Sequence, residues 1–129
     1  MDRKKFMIVD DDSDDRFFFK EALEMIFSSV ECIEAKGCVD AFEVLDMNEE
    51  PPHFIFLDIN MPRIDGYECL KQLKSHEKFK DIPVIMYSTH FSQKSENELI
   101  NLGASSCLEK AMDLKTLPEQ ILKVINIPK

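Results

Sequence analysis

The chain alternates short apolar runs with longer amphipathic segments along its whole length. Strand-like runs fall at 4–9, 31–35, 53–58, 82–88 and 105–109, and helix-like segments at 13–27, 38–48, 65–76, 92–102 and 116–126. A strand followed by a helix, five times over, is typical of an α/β fold with a parallel sheet. The first, third and fourth runs are almost continuously apolar, which indicates strands buried on both faces.

Capping signals mark several helix boundaries. Ser13 is placed to N-cap the first helix, although Arg16 stands where a full capping box would have Glu. Residues 116–119 match a capping box with a proline in the first turn, so the last helix should begin there. Gly103 is placed to end the fourth helix.

Length and composition favour one globular domain. The chain has 129 residues, of which 44% are hydrophobic and 32% are charged. Its net charge of -9 argues against binding to nucleic acid or to an anionic membrane surface. No apolar run approaches the roughly 20 residues of a membrane-spanning helix, and the run after the charged first residues is too short for a signal peptide. We therefore expect a cytoplasmic protein.

The four cysteines are scattered along the chain. Cys32, Cys38, Cys69 and Cys107 lack the short spacing that zinc sites use. Free cysteine behaves as a small buried hydrophobe, and disulfides are rare in the cytoplasm. We predict four reduced structural thiols.

Carboxylates follow two of the apolar runs. Asp10, Asp11 and Asp12 come directly after the first run, and Asp58 ends the third. Open α/β folds bind ligands at the carboxyl ends of their strands, so these side chains should meet there. Carboxylates that lie close together raise each other's pKa or hold a cation. With Lys110 after the fifth run, the pattern indicates metal and phosphate chemistry centred on Asp58.

A calcium loop is one alternative interpretation of the first acidic run. Asp10, Asp12 and Asp14 occupy the first, third and fifth loop positions, and Glu21 occupies the twelfth. Asp15 stands at the sixth position, where the sharp turn needs glycine, and a strand-like segment precedes the run. A solvated acidic helix start is the other alternative, and it explains Asp14 and Asp15 better than the carboxylates before them.

A phosphatase of the haloacid dehalogenase type also uses an aspartate after a strand as its nucleophile. Such enzymes carry a second aspartate two residues later as general acid. Here Asn60 follows Asp58 at that distance. The general acid would be missing, so we disfavour this class.

Three motifs in order carry a close family resemblance: Ile8–Asp11, Leu57–Gly66 and Lys110. The chain resembles the receiver domain of bacterial response regulators, the CheY-like fold, over essentially its whole length. The resemblance implies a doubly wound, flavodoxin-like (βα)5 domain with a five-stranded parallel sheet of order 2-1-3-4-5. It also implies a single receiver domain over 1–129 with no output domain.

The resemblance assigns roles to individual positions. The ion expected is Mg²⁺, with Mn²⁺ as the alternative, because such hard cations take oxygen ligands. The implied roles are phosphoacceptor for Asp58, direct metal ligand for Asp11, water-mediated ligand for Asp10, backbone-carbonyl ligand for Asn60, phosphoryl contacts for Ser88 and Lys110, and modulation of phosphoryl lifetime for His90 and Thr89.

The resemblance further implies a stand-alone receiver that takes its phosphoryl group from the phosphohistidine of a sensor histidine kinase or histidine phosphotransfer protein. It would catalyse its own dephosphorylation and signal by protein binding or phosphorelay. The face of the fourth helix, fifth strand and fifth helix would meet a downstream target, in a monomer or weak homodimer. The alternative is a phosphorylation-independent interaction module, whose hallmark would be loss of Asp58, Lys110 or the acidic pair.

Two positions depart from the family pattern. Ala111 follows Lys110 where the family usually has proline after a cis bond, so we predict a trans Lys110–Ala111 bond. Cys107 stands where the family often has an aromatic switch residue. Signalling would then use movement of the Ser88 loop and the fourth helix, or would involve Tyr87 and Phe91.

Overall fold

The computed structural model describes residues 3–110, 113 and 115–126. The strands are β1 (Lys4–Val9), β2 (Val30–Ala35), β3 (Phe54–Leu57), β4 (Val84–Ser88) and β5 (Ser106–Glu109). The helices are α1 (Ser13–Ile26), α2 (Cys38–Met47), α3 (Gly66–Ser75), α4 (Gln93–Asn101) and α5 (Leu117–Ile125). All ten predicted elements are confirmed, within two residues at every boundary.

The five strands form one parallel sheet of order β2-β1-β3-β4-β5, which confirms the predicted topology. Successive side chains of a strand point to opposite faces of the sheet, so both faces are apolar and both are covered by helices. Met7 and Val9 of β1 pack in the cluster that includes α2, α3 and α4. Phe6 and Ile8 pack in the cluster that includes α1 and α5. No helix among the described residues is long and apolar enough to span a bilayer.

Hydrogen bonds beyond the strand ends bring the predicted site residues to one edge of this sheet. The backbone N–H groups of Asp10, Asp58 and Lys110 each donate to a carbonyl at the end of a neighbouring strand, at 3.0, 2.9 and 2.7 Å. Parallel strands therefore end in register at this edge, as open α/β folds require for a ligand site. The predicted trans Lys110–Ala111 bond involves Ala111, which lies outside the described residues.

The helix ends correct two of the capping predictions. Asp12, not Ser13, N-caps α1, and its carboxylate accepts from two backbone N–H groups of the first turn at 2.9 and 3.4 Å. Asp and Ser are about equally good caps, so the sequence alone did not separate them. Thr116 precedes α5 but makes no side-chain cap, because its hydroxyl donates to the Asp113 carbonyl at 3.0 Å. Gly103 does end α4, with a φ of 112°.

The prediction of four reduced thiols is wrong for two of them. Cys38, the first residue of α2, and Cys69 in α3 are joined by a disulfide with a Cα–Cα distance of 5.7 Å. Both residues are buried where α2 and α3 face the same sheet surface. Their sequence separation of 31 carries no local signal of pairing. Cys32 and Cys107 are free, as predicted.

Candidate functional site

A polar cavity of about 180 Å³ lies at the carboxyl edge of the sheet. Its lining brings together seven of the eight residues predicted for the site: Asp10, Asp11, Asp58, Asn60, Ser88, Thr89 and Lys110. The cavity also includes Asp12 and Asp15, to which the family resemblance assigned no role. His90 is the predicted site residue that does not line it.

Three of the five aspartates that line the cavity bring their carboxylates close together. Asp10, Asp11 and Asp58 each offer an oxygen, and these oxygens all lie within 4.8 Å of one another. Asp10 and Asp58 are buried, whereas Asp11 is exposed. An all-oxygen donor set with one open side suits a hard divalent cation that keeps several waters, such as Mg²⁺ or Mn²⁺. The residues present therefore fit a divalent metal.

Lys110 forms the basic side of the same cavity. Its Nζ lies 2.8 Å from Asp10 Oδ2, 2.8 Å from Asp15 Oδ2 and 3.4 Å from Asp58 Oδ1. The ammonium also stands 5.5 Å from the ring centroid of Tyr87, within the range of a cation–π contact. The lysine side chain is 12% exposed, so these contacts are largely shielded from solvent.

Burial and mutual repulsion shift the acid–base equilibria of the site. Burial, followed by the charge of Asp10, raises the pKa of Asp58 to about 6 even though Lys110 lowers it. Burial also raises the pKa of Asp10, against the opposing hydrogen bond from Lys110. For Lys110 itself, burial lowers the pKa, but hydrogen bonds to Asp10 and Asp15 outweigh it and raise the pKa above its ordinary value. The lysine is therefore charged, but its charge does not fully offset the burial of Asp10 and Asp58.

The loop after β3 fixes the backbone of Asp58. The N–H of Gly66, the first residue of α3, donates to the carbonyl of Ile59 at 2.8 Å. A Cβ at Gly66 would stand 2.5 Å from the Asp58 carbonyl oxygen and 2.6 Å from the Ile59 Cα. Only glycine lets α3 approach this closely, so the start of α3 sets the position of Asp58.

A buried arginine fixes the backbone of Asp10. Arg16 Nη1 donates to the Asp10 carbonyl at 2.7 Å, and its Nε donates to Glu34 Oε1 at 2.9 Å. Arg16 is 9% exposed, so the arginine end of this bridge between α1, the end of β1 and β2 is shielded from water, whereas the Glu34 side chain is 37% exposed. In the sequence, Arg16 stands out only as an imperfect capping-box residue. Its partner Glu34 is 18 residues away in the sequence, so no local sequence pattern predicts this contact.

Comparison with known proteins agrees with this geometry. A sequence model of the response regulator receiver domain matches residues 6–122. The chain belongs to the response regulator receiver family. It is 30% identical over 122 residues to the chemotaxis protein CheY1 of Helicobacter pylori, covering 95% of this chain and 97% of that protein. Receiver domains of this family bind divalent metal at an acidic pocket and take part in phosphorylation-based signalling with histidine kinases.

Solved structures show the same architecture. The phosphorylated cyanobacterial phytochrome response regulator RcpA superposes with a TM-score of 0.83 at 29% identity, covering 96% of this chain and 91% of that one. The Mn²⁺-bound form of response regulator Rcp1 superposes with a TM-score of 0.79 at 26% identity, covering 94% and 91%. The CheY-like fold and the two-component family predicted from the sequence are therefore confirmed.

The receiver's β4–α4 loop holds the remaining predicted residues. Ser88, at the end of β4, is buried, and Thr89 lines the cavity. The His90 side chain is 82% exposed, and its Nδ1 lies 3.8 Å from Glu109 Oε2. This side chain lies outside the cavity, and a role for His90 in phosphoryl lifetime stays a prediction. Cys107 is half-buried against the α2–α3–α4 cluster, where its thiol has a pKa raised by burial to about 11.

Proposed function

We propose that this receiver accepts a phosphoryl group on Asp58 from the phosphohistidine of a sensor histidine kinase or a histidine phosphotransfer protein. The observation that carries the proposal is a buried aspartate whose carboxylate faces both a lysine ammonium, at 3.4 Å, and a cluster of carboxylate oxygens suited to a divalent cation. A structural salt bridge with one lysine needs only one carboxylate. Three carboxylates surround Lys110 at the carboxyl edge of a parallel sheet, and this arrangement suits phosphoryl transfer better than a purely structural ion pair.

The proposed reaction needs little covalent chemistry from the protein. An Asp58 carboxylate oxygen attacks phosphorus, the phosphorus–nitrogen bond breaks, and the imidazole of the donor leaves. Lys110 would pair with a phosphoryl oxygen, and the Ser88 hydroxyl would donate a hydrogen bond to another. Catalysis then rests on positioning and on neutralising charge, as in other phosphoryl transfers. Water would later attack phosphorus, releasing inorganic phosphate and restoring the carboxylate.

Mg²⁺, with Mn²⁺ as the alternative, would neutralise charge on the phosphoryl oxygens when bound. Asp11 and Asp58 would ligate the ion directly, Asn60 through its backbone carbonyl, and Asp10 through a water molecule. Asp11 and Asn60 are exposed at the cavity mouth, which leaves room for the waters that Mg²⁺ retains.

On the output side, we propose that the receiver domain acts in the cytoplasm as a monomer or weak homodimer. Phosphorylation would change binding of a downstream protein at the face of α4, β5 and α5, or the group would pass onward in a phosphorelay. The β4–α4 loop supports this direction, because Ser88 and Thr89 line the cavity and Ser92 N-caps α4 three residues further on.

The direct test is incubation with acetyl phosphate and Mg²⁺, followed by intact-mass measurement. The wild-type chain should gain one phosphoryl group, and Asp58→Asn should gain none. Asp46→Asn, an exposed aspartate on α2, is the matched control and should behave as wild type. A mass gain that persists in Asp58→Asn would move the acceptor elsewhere. No gain in the wild type, with this donor or a phosphorylated histidine kinase, would favour the phosphorylation-independent module.

A further inference from the structure

Asp15, in the first turn of α1, contacts the lysine of the proposed phosphoryl site. Its Oδ2 accepts a hydrogen bond from Lys110 Nζ at 2.8 Å, across 95 residues of sequence. The Asp15 side chain is 32% exposed, and it lines the same cavity as Asp58. Resting on the function proposed above, we propose that Asp15 is a positioning residue that anchors Lys110 for phosphoryl transfer.

The geometry of the ammonium group explains why Asp15 supports the transfer rather than opposing it. A lysine ammonium has three N–H donors, and three carboxylates surround this one. The contacts to Asp10 and Asp15 are 2.8 Å, whereas the contact to Asp58 is 3.4 Å. A phosphoryl group on Asp58 would take the donor that faces Asp58, and the bond to Asp15 would use a different donor.

Asp15 also differs from Asp10 in its relation to the metal. The oxygens of Asp10, Asp11 and Asp58 form the cluster suited to a cation, and Asp15 is not part of that cluster. A bound cation would draw on the negative charge of Asp10, which weakens its hold on Lys110. The charge of Asp15 would not be shared with the metal in this way. It is therefore the carboxylate that holds Lys110 when the metal is present.

The start of α1 gives this anchor a fixed position. Asp12 caps the helix and accepts from the N–H of Asp15 at 3.4 Å. The next residue, Arg16, is buried and bonds the Asp10 carbonyl at 2.7 Å. A lysine side chain loses conformational entropy when it is fixed. An anchored Lys110 has met that cost before the phosphodonor arrives, which is the advantage of a preorganised site.

The main experiment compares Asp15→Asn with Asp14→Asn. Asp14 lies on the same first turn, is exposed, and loses the same charge on substitution. With acetyl phosphate and saturating Mg²⁺, Asp15→Asn should slow phosphorylation of Asp58 about tenfold, since small misplacements of a catalytic group have effects of this size. Asp14→Asn should stay within about twofold of wild type, as for a surface charge. Equal rates in the two variants would overturn the proposal.

A double-mutant cycle distinguishes action through Lys110 from a general structural effect. In a Lys110→Ala background, Asp15→Asn should change the phosphorylation rate by less than about twofold, because the residue it positions is gone. Asp15→Glu should recover part of the rate, since it keeps a carboxylate within reach. The same tenfold loss in both backgrounds would show that Asp15 acts without Lys110 and would overturn the proposal.

A second measurement does not depend on phosphorylation. The ¹⁵Nζ signal of the Lys110 ammonium, recorded with Mg²⁺, should be resolved in the wild type and in Asp14→Asn, and should shift or broaden in Asp15→Asn. An unchanged signal in Asp15→Asn would overturn the anchor. Failure of the wild type to take a phosphoryl group would instead contradict the proposed function, while the Lys110 signal would still decide whether Asp15 holds the lysine.

Discussion

Ionisation of Asp58 is unfavourable in the folded chain because the carboxylate is buried near Asp10. Its pKa is raised from 3.8 to about 6. Between these two values the folded protein holds a proton that the unfolded chain has already released. The free energy of unfolding therefore falls as pH rises through this window. A shift of about two pKa units corresponds to about 3 kcal/mol of stability lost above pH 6.

Asp58→Asn should remove this pH-dependent cost. In EDTA, the variant should be more stable than wild type by up to about 3 kcal/mol at about pH 7.5, and close to wild type at about pH 4. Urea unfolding at both pH values measures the difference. Asp46→Asn, at an exposed position, should show little gain at either pH. An equal gain for Asp58→Asn at both pH values would contradict a titration of Asp58.

Asp11 and its neighbour Asp12 offer a matched pair for the metal. Both are exposed and line the cavity, but only Asp11 belongs to the oxygen cluster. Asp11→Asn should weaken Mg²⁺ binding by about tenfold or more, as loss of one carboxylate ligand removes charge-assisted contacts. Asp12→Asn should have a much smaller effect, since Asn also N-caps a helix. The Mg²⁺ dependence of the melting temperature reports both affinities. Equal losses would place the ion elsewhere.

At the scale of elements, two glycines begin helices beside the sheet edge but have opposite surroundings. A Cβ at Gly66 would meet backbone atoms of Asp58 and Ile59 at 2.5 and 2.6 Å. A Cβ at Gly37, which precedes α2, would meet nothing within 4 Å. Close backbone contact leaves the chain no flexible group to move aside, so substitution at Gly66 must displace α3 or Asp58.

Gly66→Ala should therefore lower the free energy of unfolding by about 1–3 kcal/mol, the usual range for overpacking. It should also slow phosphorylation of Asp58, because the loop that carries the acceptor shifts. Gly37→Ala should cost less, about 0.5–1 kcal/mol for the exchange of an N-cap glycine for alanine, and leave phosphorylation unchanged. Chemical unfolding and the acetyl phosphate reaction provide the two measurements. A neutral Gly66→Ala would show that the β3–α3 loop yields without loss.

The elements were predictable because their signals are local. Apolar runs with helical and strand periodicity marked all ten elements, and the parallel order followed from the family motifs. Most of the candidate site was predictable for a related reason: acidic residues and a lysine directly follow strands, and parallel strands end at one edge. The details that failed depend on contacts between distant segments. The Cys38–Cys69 disulfide, the Arg16–Glu34 bridge and the Asp15–Lys110 contact appear only once helices dock on the sheet.

At the scale of the whole molecule, a series of hydrogen bonds connects the cavity to the start of α4. The Lys110 N–H donates to the Ser88 carbonyl at 2.7 Å, which ties the end of β5 to the end of β4. The Phe91 N–H then donates to Glu109 Oε2 at 3.3 Å, within the loop that leads to α4. Ser92 begins α4 through a reciprocal capping box with Ser95. We therefore expect a displacement of Ser88 to reach the first turn of α4.

This connection predicts which residues change their environment when a mimic of the phosphoryl group binds. Beryllofluoride with Mg²⁺ should shift backbone amide resonances of residues 88–96 and of β5, while residues 42–47 of α2, remote from the cavity, should move little. Cys107 replaces the aromatic residue usual in the family, so the shifts should follow the Ser88 loop rather than a side-chain rotation on β5. Asp58→Asn should abolish them. Shifts confined to the cavity, with α4 and β5 unmoved, would contradict an output face at α4, β5 and α5.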